Sequence, residues 1–343
     1  IDRSTSDPRP PDQQTVLKMA TSLLDPPTRD SPQTTLKLSQ SAPTFIKSQT
    51  STSTFALPYP LSLFSNSESL EKWSATENLF LATLRSGDND SAYALLESLT
   101  DRFGLENERI AALRGLWAEA TAKTPQELVD VLKDYEEILK EDPSNFAIRK
   151  RRCALLRSMG QTEEALNALT NFVDTSPTDA EGWSELGSLY EELGMHEQAI
   201  FCLEEVLLLM PNAWNMQAKI GEVLYMSASQ KQNDVGLLGE SMRRFCRSIE
   251  LCDDYLRGYF GLKICTTRLL EVLGTTKKGQ PADGELPLPK VESVRKLNQV
   301  ATAKLAEIVR RVSAGEKGWD GYNEAEIAAA KELLARETQK IER

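Results

Sequence analysis

From residue 70 to residue 275, apolar side chains recur every three to four positions, in segments separated by short polar breaks. That spacing is the period of an amphipathic helix, and no segment alternates apolar and polar residues as a half-buried strand does. Proline and glycine fall mainly between the periodic segments, where consecutive helices turn. The pattern predicts an all-α protein made of consecutive short helices.

Within this region the pattern repeats with a period of 34 residues. In the unit that begins at Ala180, a W-x2-L-G-x2-Y…A…P motif is formed by Trp183, Leu186, Gly187, Tyr190, Ala199, Leu203, Val206 and Pro211. The small Gly187 and Ala199 let two helices approach closely, and Pro211 ends the second helix. The motif is typical of tetratricopeptide (TPR) repeats. The predicted fold class is therefore a TPR-type α-solenoid of stacked antiparallel helix pairs.

The neighbouring units keep this register. The matching positions one unit earlier are Gly160, Ala165, Leu169 and Pro177, and those one unit later begin with Ile220 and Gly221. After Gly221 the second helix starts about eight residues late, behind the polar insert SASQKQNDVG, which we expect to form a surface loop. Upstream, Gly115 supplies the small position of a unit with four extra residues between its helices. A degenerate unit is indicated before it by Ala92, Leu96 and Leu99.

The regions that flank the array have different compositions. Residues 1–50 are rich in Ser, Thr, Pro, Asp and Gln, so they bury too little apolar surface to offset the entropy cost of ordering. We expect a mostly disordered tail there, with Val16–Leu24 as a candidate short docking helix. Residues 276–290 contain lysines, glycines and three prolines, and are predicted to be a linker between the 70–275 array and residues 291–343.

Residues 291–343 predict two C-terminal helices that cap the array, since a terminal repeat needs a distinct outer face. The first, Val291–Val312, has an apolar stripe formed by Val294, Leu297, Val300, Leu305, Ile308 and Val309. The second, Asn323–Glu342, carries Ile327, Leu333 and Leu334 on its inner side.

Composition narrows the class of protein. The 343 residues carry a net charge of −11, the opposite of the basic balance that phosphate binding requires, so a nucleic-acid binder is not expected. No apolar run approaches the twenty residues of a membrane span, so we expect membrane contact to be indirect. The five cysteines include no CxxC pair. They are expected to be reduced thiols in the cytosol or nucleus, with no metal or other cofactor.

No catalytic motif stands out. The chain has a single histidine, His196, which falls in the turn between two helices of one unit, where a polar residue is expected. Acidic pairs such as Glu191-Glu192 are interpreted as solvated helix faces, and no phosphate loop, HExxH or GxSxG motif occurs. The sequence therefore predicts that the protein is not an enzyme.

Partner binding is predicted on the inner surface of the array, which the first helix of each unit lines. The inward positions of TPR first helices, carried over by resemblance, give a candidate groove of Lys150, Arg157, Glu181, Ser184, Ser188, Glu191, Asn215, Glu222, Tyr225, Tyr255 and Leu262. This groove runs from basic through acidic to aromatic and apolar, which suits an extended peptide of mixed chemistry. A clamp for a C-terminal carboxylate is not predicted, because Ala154 stands where asparagine would be needed.

The densest basic run is RKRR at residues 149–152. Four consecutive helical residues point around almost the whole circumference, so they cannot all face one ligand. The favoured interpretation is a solvated helix start with one or two residues facing the groove. A partner contact through Lys150 and a nuclear-import signal are the alternatives.

Three stretches resemble subunit 2 of the endoplasmic reticulum (ER) membrane protein complex: Tyr135–Leu166, Glu181–Asn212 and Ser241–Lys263. The AIFCLEE run from Ala199 and the RKRR run are the more distinctive parts, and the resemblance covers about residues 71–275. It implies a non-catalytic scaffold subunit of a complex that inserts transmembrane helices, including those of tail-anchored proteins. The implied site is the cytoplasmic face of the ER membrane, as a peripheral subunit. The implied partners are cytosolic tails of membrane subunits and a soluble subunit. The alternative is a freestanding TPR adaptor for chaperones or another complex.

Overall fold

The computed structural model describes residues 32–51, 70–232, 234–275, 289–319 and 321–341. The described residues form fourteen α-helices and no strand. The helices are α1 Pro32–Ser51, α2 Leu70–Ser86, α3 Asn89–Phe103, α4 Glu108–Thr121, α5 Pro125–Glu141, α6 Phe146–Ser158, α7 Thr162–Thr175, α8 Ala180–Glu192, α9 His196–Leu209, α10 Trp214–Gln230, α11 Val235–Leu251, α12 Leu256–Thr275, α13 Val291–Ser313 and α14 Glu324–Ile341. The all-α prediction is confirmed.

Polar residues in the short connections fix where the helices begin. The side chain of the residue before the helix accepts a backbone N–H at the start of α3, α4, α5, α6, α8 and α11. Each such cap contributes about 1 kcal/mol to helix stability. At the other end, Gly160 and Gly194 follow α6 and α8 with φ of 75° and 72°. These two glycines lie 34 residues apart. Consecutive units therefore share the same left-handed turn at the end of the first helix.

The chain forms two compact units, divided between Gln161 and Thr162. In the first unit, α1–α4 enclose one apolar cluster around Leu79, Phe80 and Leu95. A second cluster in the same unit includes Tyr135 and Ile148. These clusters hold consecutive helices side by side, as the repeat requires.

The second unit, α7–α14, contains the best-preserved repeat. Between α8 and α9, a Cβ added at Gly187 would lie 3.3 Å from Cys202 Cβ and 3.4 Å from Leu203 Cγ, so the two helices pack as closely as the motif predicts. Trp183 is only half-buried; its indole N–H donates to the Pro177 carbonyl at 2.9 Å. The consensus tryptophan therefore anchors the turn before α8 as well as the helix pair.

The C-terminal helices pack onto the end of this unit. Val294, Leu305 and Ile308 of α13 and Ile327 of α14 are buried in one cluster with residues of α10, α11 and α12. Val300 departs from the predicted stripe: it is 53% exposed, because Ala301 takes the buried position beside it.

Helix α1 corrects the prediction for residues 32–50, which were expected to belong to a disordered tail. Its inner face combines the buried small and polar side chains of Ala42, Thr35 and Ser39 with partly buried apolar ones (Leu38, Phe45 and Ile46), and Ser86 Oγ donates to Ser39 Oγ at 2.7 Å. A count of apolar residues underestimates such a face, because small side chains pack closely without adding hydrophobicity. The candidate docking helix Val16–Leu24 and the linker residues 276–288 lie outside the described residues.

The polar insert also differs from its prediction. Helix α10 continues to Gln230 and α11 begins at Val235, so only residues 231–234 connect them. Ser227 and Ala228, the first residues of the insert, are buried on the extended helix. The insert lengthens both helices instead of forming a loop, because paired longer helices bury more surface.

Candidate partner-binding site

A cavity of about 520 Å³ opens in the second unit between α10, α12 and α14. Its floor is apolar, and its rim carries charged side chains from all three helices. The floor includes Ala218, Met226, Phe245, Phe260, Ile264 and Ala329, and the rim includes Asn215, Lys219, Glu222, Arg257 and Glu326. A concave apolar surface with a few convergent polar groups is the usual form of a binding site. We call it the α10–α12–α14 pocket.

The structure brings four of the predicted groove residues together here. Asn215, Glu222 and Tyr225 of α10 and Tyr255, just before α12, all line the α10–α12–α14 pocket. Leu262 does not, and its assignment to the groove is corrected: it is fully buried in the core cluster. The carried-over register fails at this position because α12 is covered there by its neighbours.

The remaining predicted residues lie outside this pocket. In the second unit, Glu181 is exposed, and Ser184 and Ser188 are half-buried, with Ser188 Oγ donating to the Ser184 carbonyl at 3.0 Å. In the first unit, Lys150 and Arg157 are half-buried on α6. Their role in binding stays a prediction.

Two ion-pair systems shape the rim. Lys219 Nζ donates to Glu191 of the preceding first helix at 2.8 Å and to Glu222 at 3.3 Å. Burial alone would lower the pKa of Lys219. The hydrogen bonds and charges of the two carboxylates outweigh this effect, so the pKa is raised and the ammonium stays charged. Glu191, one of the predicted groove residues, does not line the pocket but contacts its rim through Lys219, and its role in binding stays a prediction.

The second system ties the last helix to the pocket. Arg257 Nη2 donates to Glu326 Oε1 of α14 at 2.7 Å, and the Tyr322 hydroxyl donates to the Asp254 carbonyl at 2.8 Å. These contacts bring Glu326 and Ala329 to the pocket wall. Burial is the main reason that the pKa of Tyr225, on the floor, is raised, so its phenol stays protonated at neutral pH.

The pocket residues that sequence reasoning missed include Lys219, Arg257, Phe260, Ile264, Glu326 and Ala329. Arg257, Phe260 and Ile264 follow each other at helical spacing on α12, a signal that could have placed this face toward the pocket. No comparable signal exists for Glu326 and Ala329, because their position depends on how α14 folds back over α12.

The basic run of α6 is largely engaged within the first unit. Arg151 forms an ion pair with Glu119 of α4, and Arg152 Nη2 lies 3.3 Å from Glu136 of α5. The Glu119 carboxylate also accepts from the Tyr135 hydroxyl at 2.5 Å. The favoured interpretation, a solvated helix start, is therefore wrong for Arg151 and Arg152: both are half-buried and hold α6 to its neighbours.

The single histidine and three of the cysteines are largely buried in the core of the second unit. His196, predicted in the turn between two helices, is the first residue of α9 and is buried, and neither ring nitrogen has a partner within the described part of the chain. Burial raises the pKa of the thiols of Cys202, Cys246 and Cys265 to about 11, so they remain protonated and unreactive at neutral pH.

Across the described ranges, no three His, Cys, Asp or Glu side chains are placed to hold a metal ion. No described helix has the length and apolar content needed to cross a bilayer.

Helix pairs in a 34-residue register, with glycine or alanine where the paired helices meet, define a TPR-type α-solenoid protein. A family model described as the EMC2 TPR-like repeat domain matches residues 107–232. The TPR repeat protein oca3 of Schizosaccharomyces pombe is 34% identical over 256 residues, which span 71% of this chain and 88% of that protein. The chain belongs to the ER membrane protein complex subunit 2 family.

Two further relatives are named as subunits of that complex. ER membrane protein complex subunit 2-A of Xenopus laevis is 30% identical over 57% of this chain, and the match spans 63% of the Xenopus protein's own length. ER membrane protein complex subunit 2 of Saccharomyces cerevisiae is 26% identical over 56% of this chain and 68% of its own. The resemblance stated from the sequence is confirmed.

Proposed function

We propose that this chain is a non-catalytic scaffold subunit of an ER membrane protein complex, and that its α10–α12–α14 pocket holds a cytosolic segment of another subunit. The observation that carries the proposal is the convergence of Asn215, Glu222, Tyr225 and Tyr255 on one apolar pocket. Three of these residues lie on the first helix of one unit, and Tyr255 directly precedes the first helix of the next; first helices form the face on which TPR proteins hold extended segments. Relatives named as subunits of the complex support the choice of assembly.

The chemistry of the pocket favours a protein segment over a small metabolite. Its floor is apolar and open at the rim, and the rim cations are already paired with carboxylates. A bulky apolar side chain would bury surface on the floor, while the rim would contact polar groups of the same segment. The proposed position is peripheral, on the cytoplasmic face of the ER membrane, with bilayer contact only through the other subunits.

The test is affinity purification of the tagged full chain from detergent extract, followed by mass spectrometry of the bound proteins. We expect membrane subunits of the complex to be recovered with the wild-type chain and to be reduced with Glu222→Lys. Glu197→Lys is the matched control, since Glu197 is also an exposed carboxylate, 3.1 Å from Lys231, but lies on a second helix outside the pocket.

Recovery of membrane subunits at equal levels with Glu222→Lys and Glu197→Lys would remove the pocket from the proposal. Recovery of soluble chaperones alone would contradict the proposal and favour a freestanding TPR adaptor.

A further inference from the structure

The first unit contains a second open cavity, of about 530 Å³, between α3, α4 and α5. Its apolar lining includes Leu96, Trp117, Val131 and Ile138. In the repeat register, α3 and α5 are the second helices of consecutive units, whereas first helices line the predicted groove. This α3–α4–α5 pocket is therefore separate from the partner site proposed above and does not rest on it.

A local departure from the repeat creates the cavity. A Cβ added at Gly115 would lie 2.2 Å from the Tyr135 hydroxyl oxygen, so this glycine packs on α5 as Gly187 packs on α9. In the best-preserved unit, Trp183 lies four residues before Gly187 and Tyr190 lies three residues after it. The corresponding positions around Gly115 are Ala111 and Ala118. Two large side chains of the motif are thus replaced by methyl groups, and both alanines line the pocket.

Apolar groups at the mouth remain open to solvent. Tyr93 is 51% exposed and its ring lies 5.4 Å from that of Trp117, measured between centroids. Leu105, in the connection between α3 and α4, is 58% exposed. Together with the unfilled floor, they form an apolar surface that can take a bulky side chain from outside the chain.

The charges around the mouth select the partner. Glu97, Asp101 and Asp134 are exposed beside the pocket, and Arg114 is the one basic residue among its lining residues. Arg114 occupies the position that Leu186 holds in the best-preserved unit, so it too departs from the motif. Glu97 and Asp101 form no ion pair with another described residue, whereas Asp134 interacts electrostatically with Lys133, which pairs with Asp130. A cationic segment would be attracted to this rim, and an acidic one repelled.

We propose that the α3–α4–α5 pocket binds a protein segment that carries one bulky apolar side chain between Lys or Arg residues. The apolar side chain occupies the space left by Ala111 and Ala118. The flanking cations pair with Glu97, Asp101 and Asp134, and they stack on the exposed face of Tyr93. This arrangement gives the protein a second docking surface, on the side of the second helices.

The probe is a fluorescently labelled peptide with a central tryptophan flanked on each side by two lysines, titrated with the full chain and followed by fluorescence anisotropy. We expect saturable binding that weakens with added salt, and no binding of the same peptide with glutamates in place of the lysines. The Glu97→Gln/Asp101→Asn variant should weaken binding by roughly 2- to 30-fold, the loss of two exposed ion pairs. The matched control, Glu163→Gln/Glu164→Gln, removes two exposed carboxylates at the start of α7 and should bind like the wild type.

A second variant tests the cavity itself. Ala118→Tyr restores the residue that the repeat motif has at this position, and should reduce binding at least tenfold without lowering the thermal unfolding temperature. The proposal is overturned if the lysine peptide shows no saturable binding, if the glutamate peptide binds equally well, or if the Glu97→Gln/Asp101→Asn variant binds like its control. Self-association of the chain that Ala118→Tyr abolishes would identify the occupant as a second copy, and would also overturn it.

Discussion

The ring of Phe245 gives a sharp test of the packing beneath the α10–α12–α14 pocket. Phe245, on α11, is buried between two glycines of other helices, Gly221 on α10 and Gly261 on α12. A Cβ added at Gly261 would lie 2.1–2.8 Å from three atoms of the ring, closer than carbon atoms can approach. The ring is also close to Gly221, where an added Cβ would lie 3.1 Å from three of its atoms, so α10 leaves it little space to move.

We therefore expect Gly261→Ala to destabilise the second unit. Overpacking costs about 1–3 kcal/mol, and the strong overlap favours the upper part of that range. Alanine recovers up to about 1 kcal/mol through its higher helix propensity. The net loss is about 1–2 kcal/mol, which corresponds to a fall in melting temperature of about 2–8 °C for a unit of this size.

The assay is urea unfolding followed by circular dichroism, with Gly274→Ala as the control. Gly274 lies on the same helix, but nothing lies within 4 Å of its added Cβ, so that variant should be as stable as the wild type or up to about 1 kcal/mol more stable. Adding Phe245→Leu to Gly261→Ala should cost less than the sum of the two single changes, because the smaller side chain relieves the overlap. Equal stability of Gly261→Ala and Gly274→Ala would refute the packing described here.

Three further changes test other parts of the structure. Tyr135→Phe removes the hydroxyl that donates to Glu119 at 2.5 Å, and should lower the unfolding free energy by about 1.5–3 kcal/mol in urea titrations; a change below about 0.5 kcal/mol would contradict a structural role. Asn298→Leu removes the amide oxygen that accepts from the buried Lys263 ammonium at 2.7 Å, and should cost about 2–3 kcal/mol in the same assay, whereas a neutral effect would mean that α13 does not need this contact. Burial raises the pKa of Cys265 from 9.0 to about 11, so the stability it contributes is fully present below pH 9 and is lost as the pH rises towards 11. Cys265→Ala should therefore show a smaller fall in urea midpoint between about pH 8 and pH 10.5 than the wild type, and an equal fall would contradict the shift.

The parts of the fold that follow from the sequence are those governed by local spacing. Gly187, Ala199 and Pro211 specify where paired helices meet and where they end, and the structure has these contacts and boundaries. The family resemblance was likewise readable from the chain alone. Such features depend on residues close in sequence, whose spacing determines their geometry directly.

Features that depend on distant parts of the chain were not predictable in this way. The position of Glu326 in the α10–α12–α14 pocket depends on how α14 packs on α12, and Leu262 was assigned to the groove although α12 is covered on that side. Helix α1 was missed because its fully buried positions hold small and polar residues such as Ser39, and its few large apolar residues are only partly buried. In each case tertiary packing, which leaves no periodic signal, decided the outcome.

The central claim, that the α10–α12–α14 pocket holds a segment of a membrane-complex subunit, is tested most directly by photo-crosslinking. The photoreactive amino acid p-benzoylphenylalanine would replace Tyr225, on the pocket floor, and the partner would be identified by mass spectrometry after irradiation of a detergent extract. We predict a crosslink to a non-spanning segment of a membrane-embedded protein. When the same amino acid replaces Phe201, which is exposed on a second helix, we predict no crosslink to that segment. The same products from both positions, or no product from Tyr225, would contradict the claim.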